Sequence, residues 1–204
     1  MSDFRKILLT AALLAMLTGC MGGGSVKIPR DHYYRLPAVT ATALPAPVLP
    51  GSLELSAVQA SGMLHERAIL FVREQQPLEV SPYHYYYWVN TPASLLQQHL
   101  LDYLRQKNLA TAQHRYRADT PADFRLETEL LHFERQLRAN TSEARVELEL
   151  ILRDNRNQRI LLRKRYRQRS EASSPAMADT VSAFGQALTV IYRQFAKDVA
   201  ALDV

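Results

Sequence analysis

The chain has 204 residues, a formal charge of +5 at pH 7, 47% hydrophobic and 22% charged residues, and one cysteine. That length and apolar fraction exclude a disordered or fibrous chain and fit one globular unit with a real hydrophobic core. A lone cysteine excludes an internal disulfide framework, and the basic excess is too small to define a partner by itself.

The chain opens on a short head carrying Arg5 and Lys6, followed by the uncharged apolar run Ile7 to Leu17 and the small-residue string Leu17-Thr18-Gly19-Cys20. A basic head, a short apolar core and a small-residue exit describe a secretory signal. The run is about half the roughly 20 residues that a spanning helix needs. The string ending in Cys20 resembles the bacterial lipoprotein signal, in which the cysteine sulfur takes a lipid and the chain is cut before it. The expected organisation is therefore a signal peptide over 1–19, a lipidated flexible tether over 20–30, and one domain over 31–204. A signal cut without lipidation, beside an incidental cysteine, is the plain alternative. In the resembling lipoproteins an aspartate after the cysteine favours the inner membrane. Met21 stands there instead, so the expected location is the periplasmic face of the outer membrane, held by the lipid.

Next come the predicted elements. Tyr33-Tyr34-Arg35-Leu36 reads as a short strand. Four prolines between Pro37 and Pro50 then predict an extended connector without helix or central strand up to Gly51. Strands are predicted over Leu53 to Val58, Ala68 to Arg73 and Val80 to Val89. The last two are joined at Glu74-Gln75-Gln76-Pro77 as a hairpin. Thr91-Pro92 opens a helix whose Leu96, Leu100, Tyr103 and Leu104 share one face. Alternating segments at Phe124 to Phe133, Val146 to Leu152 and Ile160 to Arg167 predict an antiparallel meander with one wet face. Ser174-Pro175 is the predicted start of a long final helix, striped by Met177, Val181, Phe184, Leu188, Ile191 and Phe195. The fold class is α/β: one mixed or antiparallel sheet with two main helices, in the order β-β-β-α-β-β-β-α.

Two clusters stand out. Tyr83-His84-Tyr85-Tyr86-Tyr87-Trp88 alternates along its strand, so Tyr83, Tyr85 and Tyr87 face one way and His84, Tyr86 and Trp88 the other. Both rows cannot be buried cheaply with every hydroxyl satisfied. One reading is a core row plus partly covered edge tyrosines. The other is a contact surface for a protein or a lipid chain, with Tyr83, Tyr85, Tyr86, Tyr87 and Trp88 as candidate contacts. The second cluster is an arginine-rich hairpin, from Arg153 to Arg169, opposite Glu127, Glu129, Glu143, Glu147 and Glu149. Cross-strand pairs on a solvated face account for most of it. An acidic partner or lipid headgroup is the second reading, and nucleic acid fits neither the export signal nor the glutamates on the neighbouring strands. The six histidines show no metal spacing, no glycine loop cradles a phosphate, and no nucleophile motif surrounds Ser173 or Ser174. The expectation is a protein without catalytic residues, metal or cofactor beyond the covalent lipid on Cys20.

The order of these motifs resembles a known family, the ABC-type transport auxiliary lipoproteins of the PqiC-like group. The residues that carry the resemblance are the cysteine signal, the Tyr33-Tyr34-Arg35-Leu36 strand and Trp88-x-x-x-Pro92-x-x-Leu95-Leu96-x-x-x-Leu100. Leu126 to Phe133-Glu134, two more strands and a long helix follow in order. Tyr87 stands where the family often carries arginine. The resemblance implies a non-catalytic component of an envelope system that moves phospholipids or other hydrophobic molecules. Its implied partners are an ABC permease and an MCE-domain protein, and some members of the resembling group form rings of identical chains. A lipoprotein that assists envelope assembly or activates a peptidoglycan synthase is the alternative the residues leave open.

Overall fold

The computed structural model describes residues 29–203, so the predicted signal, Cys20 and the tether up to residue 28 lie outside the described residues. Asp31–Val204 forms one compact unit. Its strands are β1 (His32–Tyr34), β2 (Leu49–Leu55), β3 (Ala68–Arg73), β4 (Gln76–Trp88), β5 (Ala110–Arg115), β6 (Phe124–Leu137), β7 (Ser142–Asp154) and β8 (Arg159–Glu171). The helices are α1 (Pro92–Lys107), between β4 and β5, and α2 (Met177–Ala200), after β8. The α/β class holds, with one eight-stranded mixed sheet and two main helices. Four strands rather than three precede each helix: the short N-terminal strand counts as a fourth before α1, and β5 is a fourth before α2.

Local chemistry explains where elements begin and end. The Thr91 side chain accepts a hydrogen bond from the Ser94 N–H at 3.4 Å, and Pro92 opens α1 with its φ already helical. Asn108 closes α1 in the left-handed region at φ 56°, a conformation asparagine tolerates. The final helix departs from expectation. Ser174-Pro175 lies just upstream of α2, whose first residue is Met177 and whose cap, Ala176, offers no side chain. The Ser174 hydroxyl accepts from the Ala176 N–H at 3.1 Å and donates to the Asp179 carboxylate, so it ties the approach segment to the first turn of the helix.

The connector also ends earlier than its prolines imply. β2 starts at Leu49 and includes Pro50. Its pairing with β5 is irregular between Leu49 and Ser52, and the missing proline N–H falls in that irregularity.

β6 is the centre of the sheet. Along one edge it pairs antiparallel with β7 from Phe124↔Asp154 to Leu137↔Ser142, and β8 continues antiparallel beyond β7. The other edge is shared by two parallel strands. β2 takes the first part, Leu53↔Phe124 to Leu55↔Leu126, and β3 takes the last, Leu70↔Glu134 to Arg73↔Leu137. β5 extends the sheet beyond β2, and β4 followed by β1 extends it beyond β3.

Both helices cover one face. Trp88, Phe133 and Phe184 meet at centroid distances of 4.4 to 5.4 Å, and Tyr103 of α1 meets Tyr192 of α2 at 5.3 Å. The α2 stripe from Met177 to Phe195 is buried along its whole length. Each such large side chain contributes about 1.5–3 kcal/mol when fully buried, so this face supplies most of the stability. The segment after β1 runs over the helices as a strap. Gln106 holds it by donating to the Val39 carbonyl at 3.0 Å and accepting from the Ala41 N–H at 3.1 Å. None of the helices among the described residues is long and apolar enough to cross a membrane.

Candidate interaction site

The aromatic run occupies the second half of β4, where β1 lies alongside it in parallel register (His32↔Tyr86, Tyr33↔Tyr87, Tyr34↔Trp88). The pairing stacks rings in columns. His32 lies on Tyr86 at 5.3 Å and Tyr33 on Tyr87 at 5.6 Å, with the Arg67 guanidinium 5.3 Å from the Tyr33 ring. Each stacked pair contributes about 0.5–1.5 kcal/mol beyond burial. From Gln76 to Tyr85 the outer edge of β4 has no strand beside it among the described residues.

The simple alternation of the run does not survive. Ala68 pairs with Tyr87 but Leu70 pairs with Pro82, so β4 carries a bulge within the aromatic segment. A bulge shifts the facing of every residue on one side of it. Tyr83 consequently joins Tyr86 on one face, edge-on at 5.4 Å, instead of facing with Tyr85 and Tyr87. Trp88 is only 1% exposed and is packed between Phe133 and Phe184, so it offers no surface to a partner. Tyr85 is exposed, and Tyr83, Tyr86 and Tyr87 are half-buried. The Tyr87 hydroxyl donates to the His84 carbonyl at 2.5 Å. Further along the free edge, Leu78 is fully exposed and Val80 partly so, which adds apolar surface near the hairpin tip.

Beneath Tyr83 lies a residue the sequence reading passed over. Arg135 is buried at 7% exposure, yet no carboxylate pairs with it among the described residues. Its guanidinium donates to the Tyr83 hydroxyl at 3.2 Å, the Ser142 hydroxyl at 3.1 Å and the Pro175 carbonyl at 2.5 Å, and its Nε is left without a partner. A buried cation held only by neutral acceptors keeps a positive potential under the aromatic surface. The one signal in the sequence was parity: Arg135 lies two residues beyond Phe133, hence on the helix-covered face.

The arginine hairpin forms the opposite, helix-free face of β6, β7 and β8. Arg165 sits across from Glu149 and Arg167 across from Glu147, at 3.1 and 2.8 Å. Arg163 also reaches Glu149, at 2.9 Å, and Arg169 reaches Glu143 at 3.2 Å. This is the cross-strand ladder expected from the sequence, with one difference. Glu143, Glu147 and Glu149 are buried, and the guanidiniums that cover them are exposed. Hydrogen bonds from Arg163 and then Arg165 hold the Glu149 carboxyl below its ordinary value.

A third polar cluster closes the far end of the sheet. Glu54 is 1% exposed and accepts from Arg125 Nε at 2.6 Å and Asn155 Nδ2 at 3.2 Å. Asp123 accepts from the Ser52 N–H at 2.8 Å and its hydroxyl at 3.0 Å, bonds that lower its carboxyl from the usual range. Gly51 is required there, because a Cβ would stand 2.4 Å from Asp123 Oδ2. Among the described residues no group of three His, Cys, Asp or Glu side chains is placed to hold a metal ion.

The described residues thus form an α/β sheet with two helices on one face, a charged ladder on the other and an aromatic free edge. The chain belongs to the ABC-type transport auxiliary lipoprotein component family, whose description matches residues 34–196. Its fold is shared with a Xanthomonas campestris protein of the DUF330 family, at TM-score 0.70 and 21% identity, covering 81% of this chain and 92% of that one. It is also similar to a hypothetical protein from Chlamydia trachomatis, at TM-score 0.51 and 10% identity, covering 74% of this chain and 96% of the other. No curated protein matches the sequence. Membership makes the chain an envelope-associated lipoprotein component that works with an ABC transport system.

Proposed function

We propose that this protein is a non-catalytic adaptor, anchored through a lipid on Cys20 at the periplasmic face of the outer membrane. In this reading it docks an MCE-domain protein beside an ABC permease and helps pass phospholipids or other hydrophobic molecules across the envelope. The observation that carries it is the family match across nearly the whole described domain, joined to an exposed aromatic edge at β4. Tyr85 and Tyr87 on one face of β4, with Tyr83 and Tyr86 on the other, make the contact edge, and buried Trp88 holds the strand in place. Tyrosines are favoured at such surfaces because a rigid ring covers much area at little entropic cost.

The test is site-specific photo-crosslinking in membranes, with a photoreactive residue at position 85 and a control at exposed Tyr116, just past the end of β5. Recovery of an MCE-domain or ABC component from position 85 alone supports the reading. Recovery of a peptidoglycan synthase, or equal yields from both positions, overturns it. Mass spectrometry of the mature N-terminus tests the anchor: an acylated Cys20 is expected, and an unmodified chain removes it.

A further inference from the structure

We infer that the free edge of β8 binds an extended acidic segment of a partner protein, added as a further strand with carboxylates at every second position. Among the described residues β8 pairs with β7 alone, so the outer edge of this 13-residue strand has no strand beside it. An edge of this kind accepts another strand through main-chain hydrogen bonds.

Side chains set the partner's chemistry. Arg163, Arg165, Arg167 and Arg169 occupy alternate positions, so they stand in one row about 7 Å apart. All four side chains are more than half exposed. Cations on an edge strand also deter unwanted pairing. What distinguishes this row is that it is held by carboxylates of the adjacent strand β7. Buried Glu149 holds both Arg163 and Arg165, buried Glu147 holds Arg167, and buried Glu143 holds Arg169.

Each guanidinium spends part of its donor fork on a carboxylate of the neighbouring strand β7 and has N–H groups left over for a further acceptor. Side chains already ordered lose little entropy on binding. A strand laid along the edge with acids at every second position would meet this row residue for residue. A block of acids in a flexible segment would not.

The test uses the full-length chain in detergent and two ten-residue peptides of identical composition. One alternates glutamate and threonine, and the other has its five glutamates in a block. Tighter binding of the alternating peptide by about tenfold, weakening as salt rises, is expected. Hydrogen exchange of the unmodified chain gives an independent readout: β8 amides should gain protection only with the alternating peptide. The Arg165→Gln/Arg167→Gln variant should lose about tenfold in affinity while its melting temperature shows it folded. Equal affinity for both peptides, no new protection in β8, or preference for vesicles containing anionic phosphatidylglycerol over either peptide overturns the inference.

Discussion

Pro37, in the strap, lies directly against Gly185 on α2. A Cβ built on Gly185 would stand 2.9 Å from Pro37 Cγ and 3.0 Å from Cδ, inside any normal contact distance. The proline ring is rigid and its carbonyl is already fixed by His99 Nε2 at 3.0 Å, so the strap cannot yield easily. Gly185→Ala is therefore expected to destabilise the protein by about 1–3 kcal/mol despite the better helix propensity of alanine, which returns only ~1 kcal/mol. Thermal unfolding checks this, and Pro37→Ala in the same background should recover part of the loss.

The same strap makes His99 a sensor of acid. Its Nε2 donates to Pro37, which leaves Nδ1 buried without a partner. Burial lowers its pKa from 6.5, opposed by the Pro37 carbonyl and by Asp102. Folded His99 thus resists the proton that the unfolded chain accepts, so its contribution to stability is complete above about 6.5 and is lost as pH falls below it. Melting temperatures from pH 7.5 to 5 should fall in the native chain and stay flatter in His99→Gln, whose amide can still donate to Pro37. Parallel curves would sink this assignment.

Trp88 and Tyr85 should separate packing from contact. Trp88→Ala leaves a cavity between Phe133 and Phe184 and is expected to cost about 3–5 kcal/mol. Tyr85→Ala should change stability by less than about 0.5 kcal/mol. Denaturant unfolding measures both, and co-purification of the partner should fall in the Tyr85 variant while it remains fully folded.

Glu54 and Arg125 should show the asymmetry of a buried ion. Arg125→Leu strands the Glu54 carboxylate and is expected to cost about 1.5–3 kcal/mol, because a bond to a charged group is lost. The double variant Glu54→Leu/Arg125→Leu should be less destabilised than that single change, since no charge is left behind. A double-mutant cycle by urea denaturation gives the comparison.

Much of the architecture was readable where one residue type forces one geometry. Thr91-Pro92 and Asn108 bracket α1, Ala68 to Arg73 is a strand at its predicted bounds, and the α2 stripe is buried as its spacing requires. The misses share a cause. β5 is polar and partly exposed, and it exists because β2 offers it an edge. Pro50 enters a strand because the pairing there is already irregular. The β4 bulge reorders Tyr83, and Trp88 is drawn inward by Phe133 and Phe184 on distant segments. Arg135 is invisible as an anomaly until its surroundings show no acid. Each depends on a neighbour remote in sequence, which periodicity does not carry.

The sharing of one β6 edge between β2 and β3 sets a timetable for assembly. β6, β7 and β8 are joined by short loops, whereas the parallel pairings of β2 and β3 wait for β6 far downstream. A chain that emerges N-terminus first can close the β3–β4 hairpin early, but the edges that β2 and β3 present to β6 stay open until residues 126 and 137 are out. During that interval the apolar strands Leu49–Leu55 and Ala68–Arg73 are the segments a holding chaperone would have to shield.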